Sequence, residues 1–168
     1  GVNADGTVGR WTEFHANKIP GHADHNAMQI HPESDLILVV ISSRDALCVI
    51  DPKSPHAPVI PVKSLGKKPR LNEYASLEYS PRRRSFVYYC AVDEANVFAI
   101  ELTDEARWSK ITSPITRDPI SDAIQGSRSK KSVTHTFGRF RIASYQTLDL
   151  AILVRHVDSP VYAMRLPP

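Results

Sequence analysis

The chain has 168 residues, a 42% apolar fraction and a formal net charge of +3. That length supports one domain with a real core, and that composition excludes global disorder. The charge is mild and spread out, with no dense Lys/Arg stripe, so no nucleic-acid partner is expected. The longest apolar run, Leu36 to Ile41, falls far short of the ~20 residues a membrane span needs, so no membrane association is expected either.

In chain order, Gly9 to Phe14 reads GRWTEF and matches ARWSKI around Trp108. Both read as an outer strand, the first closing a unit or ending a preceding one. The next stretch, GHADHN, holds His22, Asp24, His25 and Asn26. His-X-X-His brings two imidazoles close in a turn, and Asp is a hard ligand. A metal site needs three or four ligands with outer support, so local turn hydrogen bonds are the expected role and no metal is expected.

From Asn26 to Asp51 the chain gives an alternating strand, a turn at Pro32, the dense run LILVVI, a second turn and LCVID. Alternation marks a strand with one wetter face; a short continuous apolar run marks a strand covered on both faces. Val59 to Val62 reads as a fourth strand. Lys67, Lys68 and Arg70 read as loop charges.

The second unit, approximately 70–115, repeats the plan. Its lead-in holds Asn72, Glu73 and Tyr74, followed by SLEYS, the turn Pro81 to Arg84, SFVYYC, VFAIEL and Arg107 to Ile111. Pro81 lies 49 positions after Pro32. The triplet Arg82, Arg83 and Arg84 reads as a solvated hairpin tip, or as a grip for an acidic partner or phosphate. Glu73 with Asp24 offers a carboxylate pair for sugar hydrolysis, against the plainer role of a solvated acid or an ion-pair partner of Arg70. Tyr74, with Phe137 further on, either stacks on a ligand or plugs a channel.

Pro114 to Thr134 is rich in Pro, Ser, Asp and Lys with little periodicity, hence a long loop, with a short helical turn over Ile120 to Gln125 and further loop charges at Arg128, Lys130 and Lys131. The third unit, approximately 133–168, opens with THTFGR, carrying His135 and Arg139, and runs through FRIAS, LAILV and VYAMRL. Ser85 to Leu102 matches Asp149 to Leu166 without a gap, 64 positions apart. Cys48 and Cys90 fall on strand positions and read as buried free thiols, not a disulfide framework.

Three all-strand units, approximately 22–65, 70–115 and 133–168, predict an all-β chain of about three four-stranded blades, a single β-propeller-type domain. Closed propellers typically hold four to eight blades. Three therefore predict pairing with a second copy into a six-bladed ring, or completion by another segment.

The unit GRFRIASYQTLDLAILVRHVDSPVYAMRLP, with its glycine-arginine-aromatic strand and closing VYAMRL, resembles the last blade of bacterial kelch/galactose-oxidase-like β-propellers. EYASLEYSPRRRSFVYYC, with its YSP turn, is similar to an inner blade, and WTEF and RWSKI to the tryptophan-bearing outer strand. The double glycine of a kelch strand is absent. The resemblance implies a fold used for binding, for carbohydrate chemistry or for a metal-radical oxidase, and a secreted or periplasmic setting. The oxidase's tyrosine–cysteine pair is not recognisable, so copper is not carried over and no cofactor is expected.

In such a fold the lead-in loops converge on one rim. The expected ligand-binding residues are His22, Asp24, His25, Asn26, Asn72, Glu73, Tyr74, His135 and Arg139. No glycine-rich phosphate loop, nucleophile elbow, CxxC pair or HExxH helix is present. The expected function is a non-catalytic binding module for a glycan or protein partner. The alternatives are a carbohydrate-active hydrolase or lyase using rim acids and histidines, and a structural component of an assembly.

Overall fold

A computed structural model describes residues 27–54, 56–71, 75–89, 97–111, 140–154 and 161–168. These are all-β: twelve strands in three separate sheets, with one short 3₁₀ turn at Ser42–Arg44 and no α-helix among the described residues. Sheet one runs β1 (Ala27–Ile30), β2 (Ile37–Ile41), β3 (Ala46–Ile50), β4 (Ile60–Val62), antiparallel throughout and in chain order. Sheet two has five strands. β5 (Ser64–Gly66) lies parallel to β9 (Ala106–Ile111), followed inward by β8 (Val97–Leu102), β7 (Ser85–Tyr89) and β6 (Ser76–Ser80). Sheet three has three described strands, β10 (Phe140–Ser144), β11 (Asp149–Val154) and β12 (Val161–Arg165).

The expected count of four strands per unit therefore holds for sheet one only. Sheet two gains β5, which sequence periodicity missed because SLG is too short to alternate. Sheet three shows no fourth strand among the described residues.

Sheet two lies between the other two, and its strands explain why the apolar runs are continuous. Phe86 and Tyr88 of β7, with Phe98 and Ile100 of β8, pack with Leu38, Val40, Leu47 and Val49 of sheet one. The alternate residues Val87, Tyr89, Val97 and Ala99 pack with Phe140, Ala151, Leu153 and Leu166 on the side of sheet three. A strand buried on both faces has no position left for a polar residue. Aromatic contacts knit these layers. Tyr88 meets Trp108 edge-on at 5.5 Å, and Tyr89 stacks on Phe140 across the sheets at 5.0 Å.

Gly66 is required where β5 joins. Its φ is +84°, and a Cβ there would sit 2.5 Å from the Trp108 carbonyl oxygen. The close approach lets Ser64 Oγ accept from Trp108 Nε1 at 3.3 Å.

The first turns of sheets one and two match residue for residue. Four residues separate His31 from Leu36 and Ser80 from Ser85, and the fourth of each, Asp35 and Arg84, is left-handed with φ of 58° and 52°. Sheet three departs from this. The Tyr145 N–H donates to the Leu148 carbonyl at 2.8 Å, leaving only Gln146 and Thr147 at the tip. The gapless alignment of 85–102 with 149–166 pairs Leu150 and Ile152 with Phe86 and Tyr88, which face the preceding sheet. The first turns still close on pairs of equal separation, Ser80 with Ser85 and Ser144 with Asp149, but Leu150 pairs with Arg165 where Phe86 pairs with Ile100, a slip of one between the second and third strands, and Asp149, Ala151 and Leu153 are the buried residues on the side of sheet two.

Cys48 is buried on the side of sheet one that faces away from sheet two, and burial pushes its thiol up to about 11. It is a free thiol, as its strand position implies. Cys90 lies outside the described residues.

Candidate functional site

The first strands of the three sheets are neighbours: β6 lies beside β1 on one side and beside β10 on the other. Each contributes one polar residue from the middle of an otherwise short strand. Gln29 Nε2 on β1 sits 3.5 Å from Glu78 Oε2 on β6, the outer limit of a hydrogen bond. Arg141 Nη1 on β10 donates to Glu78 Oε1 at 2.6 Å. An amide, a carboxylate and a guanidinium thus form one row across three sheets.

Glu78 is the group of interest in that row. Its side chain is 14% exposed and that of Arg141 is 63% exposed. Burial raises the Glu78 carboxyl above its ordinary value, and the charge and hydrogen bond of Arg141 oppose the rise. The carboxylate is therefore held in place by a cation that itself reaches water.

A second set of polar contacts joins the turns. Glu33, in the first turn of sheet one, accepts from Arg84 Nε at 2.9 Å and Nη2 at 2.6 Å, and from the Tyr79 hydroxyl at 3.2 Å. The Arg84 hydrogen bonds hold Glu33 down to about 2. Asp149, fully buried, accepts from Ser80 Oγ at 2.8 Å, Arg83 Nε at 3.0 Å and Ser144 Oγ at 2.7 Å. Arg83 also donates its backbone N–H to Ser80 Oγ at 3.1 Å, and its Nη2 is buried without a hydrogen-bond partner among the described residues.

The arginine triplet is thus a hairpin tip whose Arg82 and Arg84 are exposed, yet it also links the sheets. Arg84 reaches back to sheet one and Arg83 reaches forward to sheet three, while Arg82 is exposed. Lys68 is likewise more than a loop charge. It donates to the Asp45 carbonyl at 2.6 Å and pairs with the Asp45 carboxylate, which also accepts from the Leu71 N–H at 2.9 Å. Those bonds fix the segment that carries the chain from sheet one into the second unit.

His31 and Ser34 form a serine–histidine pair at 3.0 Å, but its geometry is that of a turn cap. The Ser34 backbone N–H also donates to His31 Nδ1 at 3.2 Å, and the ring is buried against Tyr79 and Phe86. Among the described residues, no group of three His, Cys, Asp or Glu is placed to hold a metal.

The expected rim residues His22, Asp24, His25, Asn26, Asn72, Glu73, Tyr74, His135 and Arg139 all lie outside the described residues, as does Phe137. Gln29, Glu78 and Arg141 were missed as site residues. Their signal was present, since each is the polar member of an alternating first strand. No protein-family model, curated protein or solved structure matches this chain.

Proposed function

We propose that the chain is a three-blade arc of a β-propeller of the kelch/galactose-oxidase-like kind, acting as a non-catalytic binding module that recognises a glycan along the edge formed by its first strands. The observation that carries the reading is the row Gln29–Glu78–Arg141 across β1, β6 and β10. Adjacent first strands are what radially stacked blades place around a channel, and the layer order sheet one, sheet two, sheet three supports that arrangement. An amide, a carboxylate and a guanidinium side by side present acceptors and donors in alternation, which suits neighbouring sugar hydroxyls. The lead-in loops with His22, Asp24, His25, Asn26, Asn72, Glu73, Tyr74, His135 and Arg139 belong to the same proposed surface.

A binding role fits the state of the acids better than catalysis does. Glu33, Glu78 and Asp149 are each held by an arginine. A carboxylate engaged that way is a poor proton donor, and glycoside hydrolysis needs two free to act. The hydrolase reading keeps one support, the raised carboxyl of Glu78.

The test is an array of neutral, sialylated and sulfated oligosaccharides probed with the wild type, Glu78→Gln and Arg141→Met. The proposal expects retention of neutral glycans, a loss of roughly tenfold or more for each variant, unchanged circular dichroism, and no release of reducing ends. A blank array together with capture of a defined protein ligand overturns the glycan reading. Turnover abolished by Glu78→Gln overturns the non-catalytic one.

A further inference from the structure

We infer that Glu78 sets the class of ligand taken by the edge of first strands: by cancelling the charge of Arg141, it favours neutral sugar hydroxyls and turns away carboxylated or sulfated groups. The inference rests on the binding reading above and names the selectivity of that same site.

The two partners are unequally placed. Arg141 Nη1 donates to Glu78 Oε1 at 2.6 Å, yet the Arg141 side chain is 63% exposed and that of Glu78 only 14%. The group that meets a ligand first is therefore the guanidinium. A guanidinium carries five N–H donors, and the bond to Glu78 leaves the rest of them for a ligand. The carboxylate behind it fixes its orientation through a short charge-assisted bond. An anion brought to those donors also meets the charge of Glu78, and burial of that carboxylate weakens the solvent screening of the repulsion. A neutral hydroxyl accepts from the same donors without that penalty.

The surrounding ion pairs are closed as well. Arg84 pairs with Glu33 and Arg83 with Asp149. Within the row Gln29–Glu78–Arg141 the formal charges sum to zero, and Glu78 is the member that makes them do so. Glu78→Gln isolates that charge. The amide keeps an oxygen able to accept from Arg141 and gains two N–H donors, beside the Gln29 amide that lies 3.5 Å away. The variant lines the edge with donors around an uncompensated guanidinium, a setting for sulfate or carboxylate.

The test is titration with sodium sulfate at constant ionic strength, followed by NMR on the backbone amides of β6 and β10. Glu78→Gln is expected to bind sulfate about tenfold or more tighter than the wild type. Adding Arg141→Met to that variant is expected to abolish the gain. In parallel, the wild type is expected to prefer a neutral oligosaccharide to its sialylated form, and Glu78→Gln to reverse the preference. Equal sulfate affinity in the wild type and Glu78→Gln overturns the inference, as does a gain that survives Arg141→Met. A wild type that prefers the sialylated form overturns it without any variant. A merely structural Glu78 would lower affinity for both glycan forms with no gain for sulfate, and that result overturns it too. A wild type that binds no glycan strikes the glycan reading instead, while the sulfate comparison still decides whether Glu78 masks Arg141.

Discussion

Arg83 Nε lies 3.0 Å from Asp149 Oδ2, and the carboxylate it meets is completely buried. The two residues come from different sheets, and two serine hydroxyls complete the acceptor set of the acid. A buried ion pair of this kind adds little net stability when whole but is costly to break from one side.

Removing the acid alone is therefore the severe change. Asp149→Ala is expected to cost about 3–5 kcal/mol in urea unfolding, because it leaves a largely buried guanidinium unpaired. The double variant Arg83→Met with Asp149→Ala is expected to recover a substantial part of that loss. A double variant as unstable as the single one would show that the pair does not act as a unit.

The acids at Glu33 and Glu78 predict opposite pH effects. Glu33 has an ordinary value of 4.5 and is held down to about 2, so its contribution is present above 4.5 and is lost as pH falls toward 2. Glu33→Gln should flatten the acid limb of the stability curve in that window. Glu78 is raised by burial, so its charged form opposes folding and the opposition grows as pH rises through its folded value. Glu78→Gln should leave the fold intact at neutral pH while weakening acid dependence in the reverse sense. Thermal melts from pH 2 to 7 on the two variants check both signs.

Core position predicts a steep contrast between two aromatic residues. Phe86 and Tyr88 are fully buried, and Phe86→Ala is expected to cost about 3–5 kcal/mol. Tyr145, exposed at the tip of the third unit, should tolerate Ala within about 0.5 kcal/mol. Equal effects in denaturant titrations would contradict the layer order described above.

At Gly66 both the backbone conformation and the space forbid a side chain. Gly66→Ala is expected to destabilise by about 1–3 kcal/mol, since its Cβ would meet backbone that no rotamer change can move. The thiol of Cys48, raised and buried, should react with a disulfide reagent only on unfolding.

The layered all-β plan was legible because burial on both faces leaves a plain signature: LILVVI and FVYYC are unbroken apolar and aromatic runs. The 49-residue spacing held because Pro32 and Pro81 open turns of equal length. The third unit misled for a physical reason. Leu150 pairs with Arg165 where the repeat predicts Met164, and nothing in the apolar pattern of LAILV and VYAMRL marks that slip of one position, so a gapless alignment hid it. The ion pairs of the arginine triplet were missed for another. Its partners, Glu33 and Asp149, lie 51 and 66 positions away, and only the stacking of sheets brings them near. Gln29, Glu78 and Arg141 were each visible as polar members of alternating strands, but their meeting depends on β1, β6 and β10 being neighbours.

One short stretch of backbone serves two sheets. β4 closes sheet one at Val62, β5 opens sheet two at Ser64, and the Lys63 carbonyl between them accepts from the Ala106 N–H at 2.9 Å. Tension that peels one sheet is therefore transmitted to the other with no slack to absorb it. Amide exchange should find the first two sheets opening as one cooperative block.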